Sequence, residues 1–226
     1  MLDTAILKKT ALFRGFREEE LPEILSFLRA ETRFYEKDAF IFRMGDTTDR
    51  MGLVLSGSVR IENSDYWGNR TILSHVAAGQ FFAETYAFLR TEALMVDVAA
   101  NEKSEILLLA AGDLAGAQAD SSPFSRRLTL NLLSISMHKN LALSRRSFHT
   151  APKTIRGRVM AYLNHAAHRS HSRQFEIPFD RQQLADYLNV ERSALSKELS
   201  KMREDGLITY RKNRFSITAS GRDSAR

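Results

Sequence analysis

Arg192, Ser193, Ser196 and Lys197 have the types and the spacing to read a nucleic-acid edge. At 3.6 residues per turn they fall on one helix face. Arg and Lys donate to guanine edges and to phosphate, and Ser can donate or accept. Such side chains need a scaffold that presents them together, and the stretch from Phe179 to Leu199 supplies one. Leu184, Ala185 and Leu188 share a face of a first short helix. Asn189 follows, and Asn tolerates the left-handed backbone of a tight turn. Val190, Leu195 and Leu199 turn back into a core, leaving Arg192, Ser193, Ser196 and Lys197 outward. The pattern predicts a helix-turn-helix; the alternative is a solvated helix pair in an all-α domain. Beyond it, Gly206–Tyr210 and Arg214–Ile217 read as two strands around a tip of Arg211, Lys212 and Asn213. That is a wing placed to touch phosphate through Arg211 and Lys212. Arg181, at the start of the first helix, is a further basic candidate.

Charge supports this reading. Residues 1–120 carry 13 Lys and Arg against 19 Asp and Glu, a net −6; residues 121–226 carry 20 against 8, a net +12. A basic segment joined to an acidic one suggests a polyanion-binding module attached to something that must not bind polyanions. The basic segment keeps regular apolar spacing, so it is expected to fold.

Other chemistries find little support. Cysteine is absent, which excludes disulfides, thiol catalysis and thiolate-held iron–sulfur clusters. No nucleophile–base pairing, glycine-rich phosphate loop or metal-ligand spacing is present, and Glu84 alone is not a catalytic pair, so no enzyme and no catalytic residue are expected. His165, His168 and His171 invite a metal reading, but no carboxylate or cysteine completes a site; solvated helix-end histidines are expected. Met1–Arg14 lacks a leader-like apolar run and cleavage site. No apolar stretch approaches membrane-spanning length, so a cytoplasmic location and no membrane partner are expected.

The elements that position these residues are legible in outline. The first 30 residues look helical, with a start near Glu18–Pro22. Strands are expected at Arg33–Tyr35, Ala39–Phe42, Gly52–Leu55, Ser58–Asn63, Arg70–His75, Leu94–Ala100 and Glu105–Ala110. Turn signals separate them at Gly45-Asp46, Ser56-Gly57, Gly68-Asn69 and Ala78-Gly79, and Phe82–Leu89 is a helical insertion. Many short strands with glycine punctuation predict an all-β barrel or jelly roll. Ser121-Ser122-Pro123 looks like a helix start, and the helix would run to about Phe148, ended by Ala151-Pro152. Leu128, Leu132, Ile135 and Leu141 make an apolar seam, thickened by Leu130, Leu133 and Met137. A coiled-coil-like homodimer would bury it; the alternative is a core helix lying across the barrel. Thr154–Ala167 forms another amphipathic helix.

The order barrel, long helix, winged helix-turn-helix carries a resemblance. The strings Leu53-Val54-Leu55-Ser56-Gly57-Ser58-Val59 and Gly79-Gln80-Phe81-Phe82-Ala83-Glu84 resemble those of a cyclic-nucleotide-binding-type barrel. With Phe179–Leu199 they make the chain similar, over about residues 5–218, to the bacterial cyclic-AMP-receptor-protein/fumarate-nitrate-reductase (Crp/Fnr) regulators. The resemblance implies an α+β chain with a sensor jelly-roll barrel over 1–120. A long dimerisation helix and hinge over 121–150 and a winged helix-turn-helix over 151–226 follow. It implies a homodimer on double-stranded DNA, with half-sites about 34 Å apart and roughly palindromic, and contacts to RNA polymerase. Recognition positions fall on Arg192, Ser193, Ser196 and Lys197. Ser193 stands where better-known members carry Glu, which accepts from a cytosine amino group, so a different base pair is expected there.

The sensor half departs further. Cyclic-AMP-binding members use a Gly-Glu-Leu helix and a following Arg-Ser or Arg-Thr. Here Glu84 remains, but Leu94 and Met95 occupy the Arg and Ser positions. A phosphate facing them would lose its charged donor, so cyclic AMP binding by the usual mode is not expected; Arg90 lies nearby as a substitute donor. Heme ligation by His75 is outweighed by an ordinary strand histidine, and no cofactor is identified. Two readings stand: a small apolar or aromatic effector lined by Phe82, Glu84, Thr85, Tyr86, Leu94 and Met95, or a pocket filled by Leu94 and Met95. The expected function is a transcriptional regulator. The alternative is an effector-binding protein acting through protein partners rather than DNA.

Overall fold

The computed structural model describes residues 4–64, 70–115 and 122–218. The predicted turn at Gly68-Asn69 and the first residue of the predicted helix start, Ser121, lie outside them. The chain forms two compact units, residues 1–138 and 139–226.

The N-terminal unit opens with α1 (Thr4–Lys8) and a 3-10 turn leading into α2 (Leu21–Phe27), with Pro22 in its first turn. Eight strands follow: β1 (Glu31–Tyr35), β2 (Phe40–Phe42), β3 (Met51–Ser56), β4 (Ser58–Ser64), β5 (Arg70–Ala77), β6 (Phe81–Phe82), β7 (Asp97–Ala100) and β8 (Ser104–Leu109). Helix α3 (Glu84–Leu89) is the expected insertion. The strands make two four-stranded antiparallel sheets, ordered β1-β8-β3-β6 and β2-β7-β4-β5. These are jelly-roll layers rather than a closed barrel. The sheets meet through side chains: Val54, Ile106 and Leu108 from one, Val59, Val76 and Val98 from the other, with Phe82 among them.

Strand β3 shows why this half is layered. Met51 to Leu55 are all buried, with no polar alternation, as a strand covered on both faces requires. Its second face meets helices. Leu7, Leu21 and Ile24 share a core with Met51, Leu53, Leu107 and Leu109. Gly52 pairs with Phe82, and a Cβ at Gly52 would run into the Phe82 ring. Glycine there lets the ring lie flat on the strand.

Two strand expectations are corrected. The strand expected from Leu94 begins only at Asp97, because Leu94 is tied to the Gly45-Asp46 turn by two backbone hydrogen bonds of 2.8 Å. Strand β6 was not expected; two residues are too few to show a period.

The long helix is α4 (Ser125–Thr150). It starts later than expected, after a turn in which the Ser122 hydroxyl accepts the Phe124 N–H at 3.2 Å. The expected dimer seam needs a larger correction. Leu128, Leu132 and Ile135 are 0%, 4% and 8% exposed and belong to the core of their own protomer, with Leu12, Phe13 and Leu53. Burying those three contributes about 6 kcal/mol of gross apolar transfer. The exposed apolar stripe runs instead along Leu130, Leu133, Met137 and Leu141, each about half exposed.

The C-terminal unit contains the last turns of α4, then α5 (Ile155–Ser170), β9 (Gln174–Glu176), α6 (Arg181–Leu188), α7 (Arg192–Glu204), β10 (Ile208–Arg211) and β11 (Arg214–Ile217). Val159, Leu163, Leu184, Leu188, Leu195, Leu199, Met202 and Phe215 form its core. Strand β9 was missed. It pairs with β11 and widens the wing to three strands, β10-β11-β9. Its signal was present: Phe175 and Ile177 are buried, and Gln174 and Glu176 between and before them are exposed.

Candidate nucleic-acid interface

The site is built on α6 and α7. Asp180 caps α6 in a reciprocal box: its carboxylate accepts the Gln183 N–H at 2.8 Å, and Gln183 Oε1 accepts the Asp180 N–H at 2.9 Å. That pairing satisfies two donors left open at the helix start. Asn189 ends α6 at φ 53°, ψ 58°, in the left-handed region. The Val190 N–H then reaches back to the Ala185 carbonyl at 3.0 Å, the wrap that ends many helices. The turn is therefore short, and α7 leaves it in a defined direction.

Leu195, Leu199 and Met202 bury one side of α7. On the other side Arg192, Ser193 and Lys197 are exposed and Ser196 is half-buried. Among the described residues, no hydrogen bond or ion pair engages the Arg192 guanidinium or the Lys197 ammonium. One acid of this helix, Glu198, is turned elsewhere. Arg156 of α5 holds Glu198 at 2.6 Å and Asp205, just past the helix, at 2.7 Å. Those two bonds fix α7 on α5. The sequence reading missed Arg156, whose partners lie 42 and 49 residues away.

The wing follows α7 in the chain, and its strand β10 packs on that helix. Arg211 pairs with Arg214 across a two-residue tip, Lys212 and Asn213. Arg211 and Lys212 are exposed, and Lys212 has φ 55°. Asn213 braces the tip: its amide donates to Glu176 at 2.7 Å, and its carbonyl accepts the Ile177 N–H at 2.9 Å. Arg181 is less free. Its guanidinium lies 5.1 Å from the centre of the Tyr210 ring, with Arg203 5.4 Å from the same ring. Burial pushes the Arg181 pKa down, with the nearby Arg192 charge acting in the same direction.

The six residues proposed for an effector differ in exposure. Leu94 is 2% exposed and fills the interior, whereas Met95 is 73% exposed. Glu84 and Phe82 are buried, Thr85 is exposed, and the Tyr86 hydroxyl accepts the Met95 N–H at 3.4 Å. Arg90 is engaged: it donates to Asp113 at 2.9 Å, in a network with Arg29 and Asp49. His75 is exposed on β5. His168 and His171 are solvated as expected, but His165 is not: its Nε2 is buried. Among the described residues no group of three or more His, Asp or Glu could hold a metal ion, and no helix is long and apolar enough to cross a membrane.

Comparison with known proteins agrees with this architecture. Residues 32–120 match the family model of the cyclic nucleotide-binding domain, and residues 157–220 match that of the Crp-like helix-turn-helix domain. No curated protein matches the chain. Among solved structures, the chain is similar to the c-di-GMP-responsive global regulator CLP of Xanthomonas campestris, with 20% identity, a TM-score of 0.57, and coverage of 90% of this chain and 100% of that one. It is similar to FixK2 of Bradyrhizobium japonicum, with 17% identity, a TM-score of 0.50, and coverage of 83% and 92%. The catabolite activator protein of Thermus thermophilus matches at 25% identity and a TM-score of 0.49, with coverage of 92% and 94%. With a cyclic nucleotide-binding domain followed by a Crp-like helix-turn-helix, the chain belongs to the Crp/Fnr family of DNA-binding transcriptional regulators.

Proposed function

We propose that this regulator acts as a homodimer that reads a roughly two-fold symmetric operator, with α7 in successive major grooves and the wing tip on phosphate. The observation that carries the reading is the free basic face of α7. Arg192 and Lys197 are exposed and unengaged among the described residues, while Arg156 holds Glu198 and Asp205. Arg192 and Lys197 donate to guanine or phosphate, Ser193 and Ser196 contact adjacent positions, and Arg211 and Lys212 neutralise backbone charge. Arg181 contributes from its place over Tyr210.

The dimer forms along α4. Its seam is the exposed stripe of Leu130, Leu133, Met137 and Leu141, spaced at three, four and four residues. That spacing suits a two-helix seam, and a stripe this apolar gains from cover.

The jelly-roll unit does not take cyclic AMP by the family's usual mode. Leu94 is buried where a phosphate-binding arginine is expected, and Arg90 is held by Asp113. Leu94 fills that part of the pocket, so the apo protein is competent for DNA. RNA polymerase is the proposed protein partner at the promoter.

Selection from a random duplex pool by ligand-free protein, read by sequencing, tests this. Enrichment of a symmetric motif with half-sites one helical turn apart is expected. Salt-sensitive binding with no enriched motif would overturn the apo-competent, sequence-reading dimer.

A further inference from the structure

The C-terminal end of α6 is gripped from two sides. The last carbonyls of a helix lack intrahelical donors and carry its negative end. Here Arg146, on α4, donates to the Tyr187 carbonyl at 3.0 Å and the Asp186 carbonyl at 2.9 Å. Arg158, on α5, donates to the Leu188 carbonyl at 3.2 Å and the Asn189 carbonyl at 2.9 Å. One turn beyond Arg146, His149 Nδ1 lies 2.8 Å from the Tyr187 hydroxyl. The final turns of α4 are thus bonded to the first helix of the DNA-reading pair.

A histidine pair sits inside this junction. His149 is 5% exposed. Its ring lies 5.1 Å from that of His165, edge to face, and 5.4 Å from Tyr162. His165 Nε2 is buried with no hydrogen-bond partner among the described residues.

We propose that Arg146, Arg158 and the His149–Tyr187 bond form a clamp locking the end of α4 to the helix-turn-helix, and that protonation of the His149–His165 pair releases it. The groups facing the pair make this direction of response. Arg145 comes from α4, and Tyr162, His168 and Arg169 from α5. Tyr187 comes from α6, and Glu176 of β9 borders the cavity that His165 lines. The one carboxylate among them, Glu176, is taken by Asn213 at 2.7 Å and Arg214 at 3.5 Å. An added proton therefore meets cations and buried aromatic surface.

Burial holds His149 below the ordinary imidazole range, helped by His165 and Arg145. Burial likewise lowers His165, with Arg145, Arg169 and His168 acting the same way. The closed clamp binds neutral imidazoles, and any state that wets them binds protons more readily. Its stabilisation is complete above the ordinary imidazole pKa of about 6.5. It declines as pH falls below that value towards the depressed folded-state values.

Amide hydrogen exchange on the full-length protein tests the clamp, with rates corrected for their intrinsic pH dependence. In wild type, residues 181–190 should be protected at pH 7.5 and lose protection by pH 5.0. His165→Leu, which leaves the His149–Tyr187 bond in place, should keep most of that protection at pH 5.0, and Arg146→Ala should lower it at both pH values. If His165→Leu fails to fold, His165→Gln takes its place. Protection unchanged in wild type down to pH 5.0 overturns the proposal, as does an equal loss in wild type and histidine variant.

The consequence for regulation rests on the DNA-binding reading. On the selected operator, wild-type affinity should fall on acidification relative to the histidine variant, by up to about tenfold per pH unit for each proton taken up. The exchange measurement uses no DNA, so failure of the operator reading leaves it interpretable. Exchange that responds without any change in affinity overturns the regulatory consequence alone.

Discussion

Replacing Leu133 by Glu should give a folded monomer, and replacing its neighbour Leu132 by Glu should not. Leu130, Leu133, Met137 and Leu141 are 57%, 50%, 56% and 47% exposed in the protomer. Full burial of such a side chain is worth about 1.5–3 kcal/mol, so covering the exposed half gains about 1 kcal/mol each. Two copies of four residues supply about 8 kcal/mol of gross transfer before the losses of association. In a symmetric parallel pair the two copies of residue 133 face each other. Leu133→Glu removes about 2 kcal/mol and sets two carboxylates side by side, for a total loss of at least about 4 kcal/mol. The dimer dissociation constant then rises about a thousandfold. Leu132 is 4% exposed in the protomer core. A carboxylate there is buried without a partner and should destabilise the N-terminal unit by about 3–5 kcal/mol. Sedimentation velocity across micromolar concentrations, with circular dichroism melting of the same samples, separates the cases. An unchanged Leu133→Glu dimer, or a well-folded Leu132→Glu monomer, would refute the assignment of the two faces.

Arg192→Ala should weaken binding to the selected operator by about 1–3 kcal/mol and relax the preference at one base pair; equal selectivity in both proteins, measured on cognate and scrambled duplexes, would remove Arg192 from the reading face. Asp180→Ala should lower stability by about 0.5–2 kcal/mol in urea unfolding by deleting the α6 cap, with secondary structure otherwise retained. Lys212→Gly should leave stability unchanged or raised, since Lys212 sits at φ 55° where glycine is unstrained, while operator affinity and its salt slope both fall through loss of one phosphate contact. Calorimetric titration with cyclic AMP should show no saturable heat, and adding the nucleotide should leave DNA affinity unchanged.

The DNA-reading half was largely legible in the sequence because its determinants are local. The Asn189 turn and the apolar spacing of Leu184, Leu188, Leu195 and Leu199 each act within a few residues, and each appears in the structure where the chain order puts it; the Asp180–Gln183 box, equally local, was overlooked. Most strands of the sensor half were legible for a similar reason: glycines mark the turns between them. Gly45, Gly57 and Gly79 all have positive φ, a backbone that other residues adopt only at a penalty.

Local pattern in the chain thus set most of the elements, the polarity of their faces and the chemistry they can present, though not the short strands β6 and β9. The partners of those faces were decided only by tertiary structure. Helix α4 carries apolar residues on two adjoining faces, and nothing in its period says which face meets the protomer's own core. The packing of α1, α2 and β3 places Leu128, Leu132 and Ile135 inside and leaves the Leu130–Leu141 stripe outside. His165 reads as an ordinary helix-end residue and His149, 16 residues before it, drew no reading of its own; only α4 and α5 bring their rings to 5.1 Å. Arg146, Arg156 and Arg158 looked like generic positive charge, and became specific only where folding brought helix-end carbonyls and carboxylates within 3.2 Å of them. Local propensity sets the backbone, but burial and charge pairing depend on neighbours distant in sequence, and those exist only once the chain has folded.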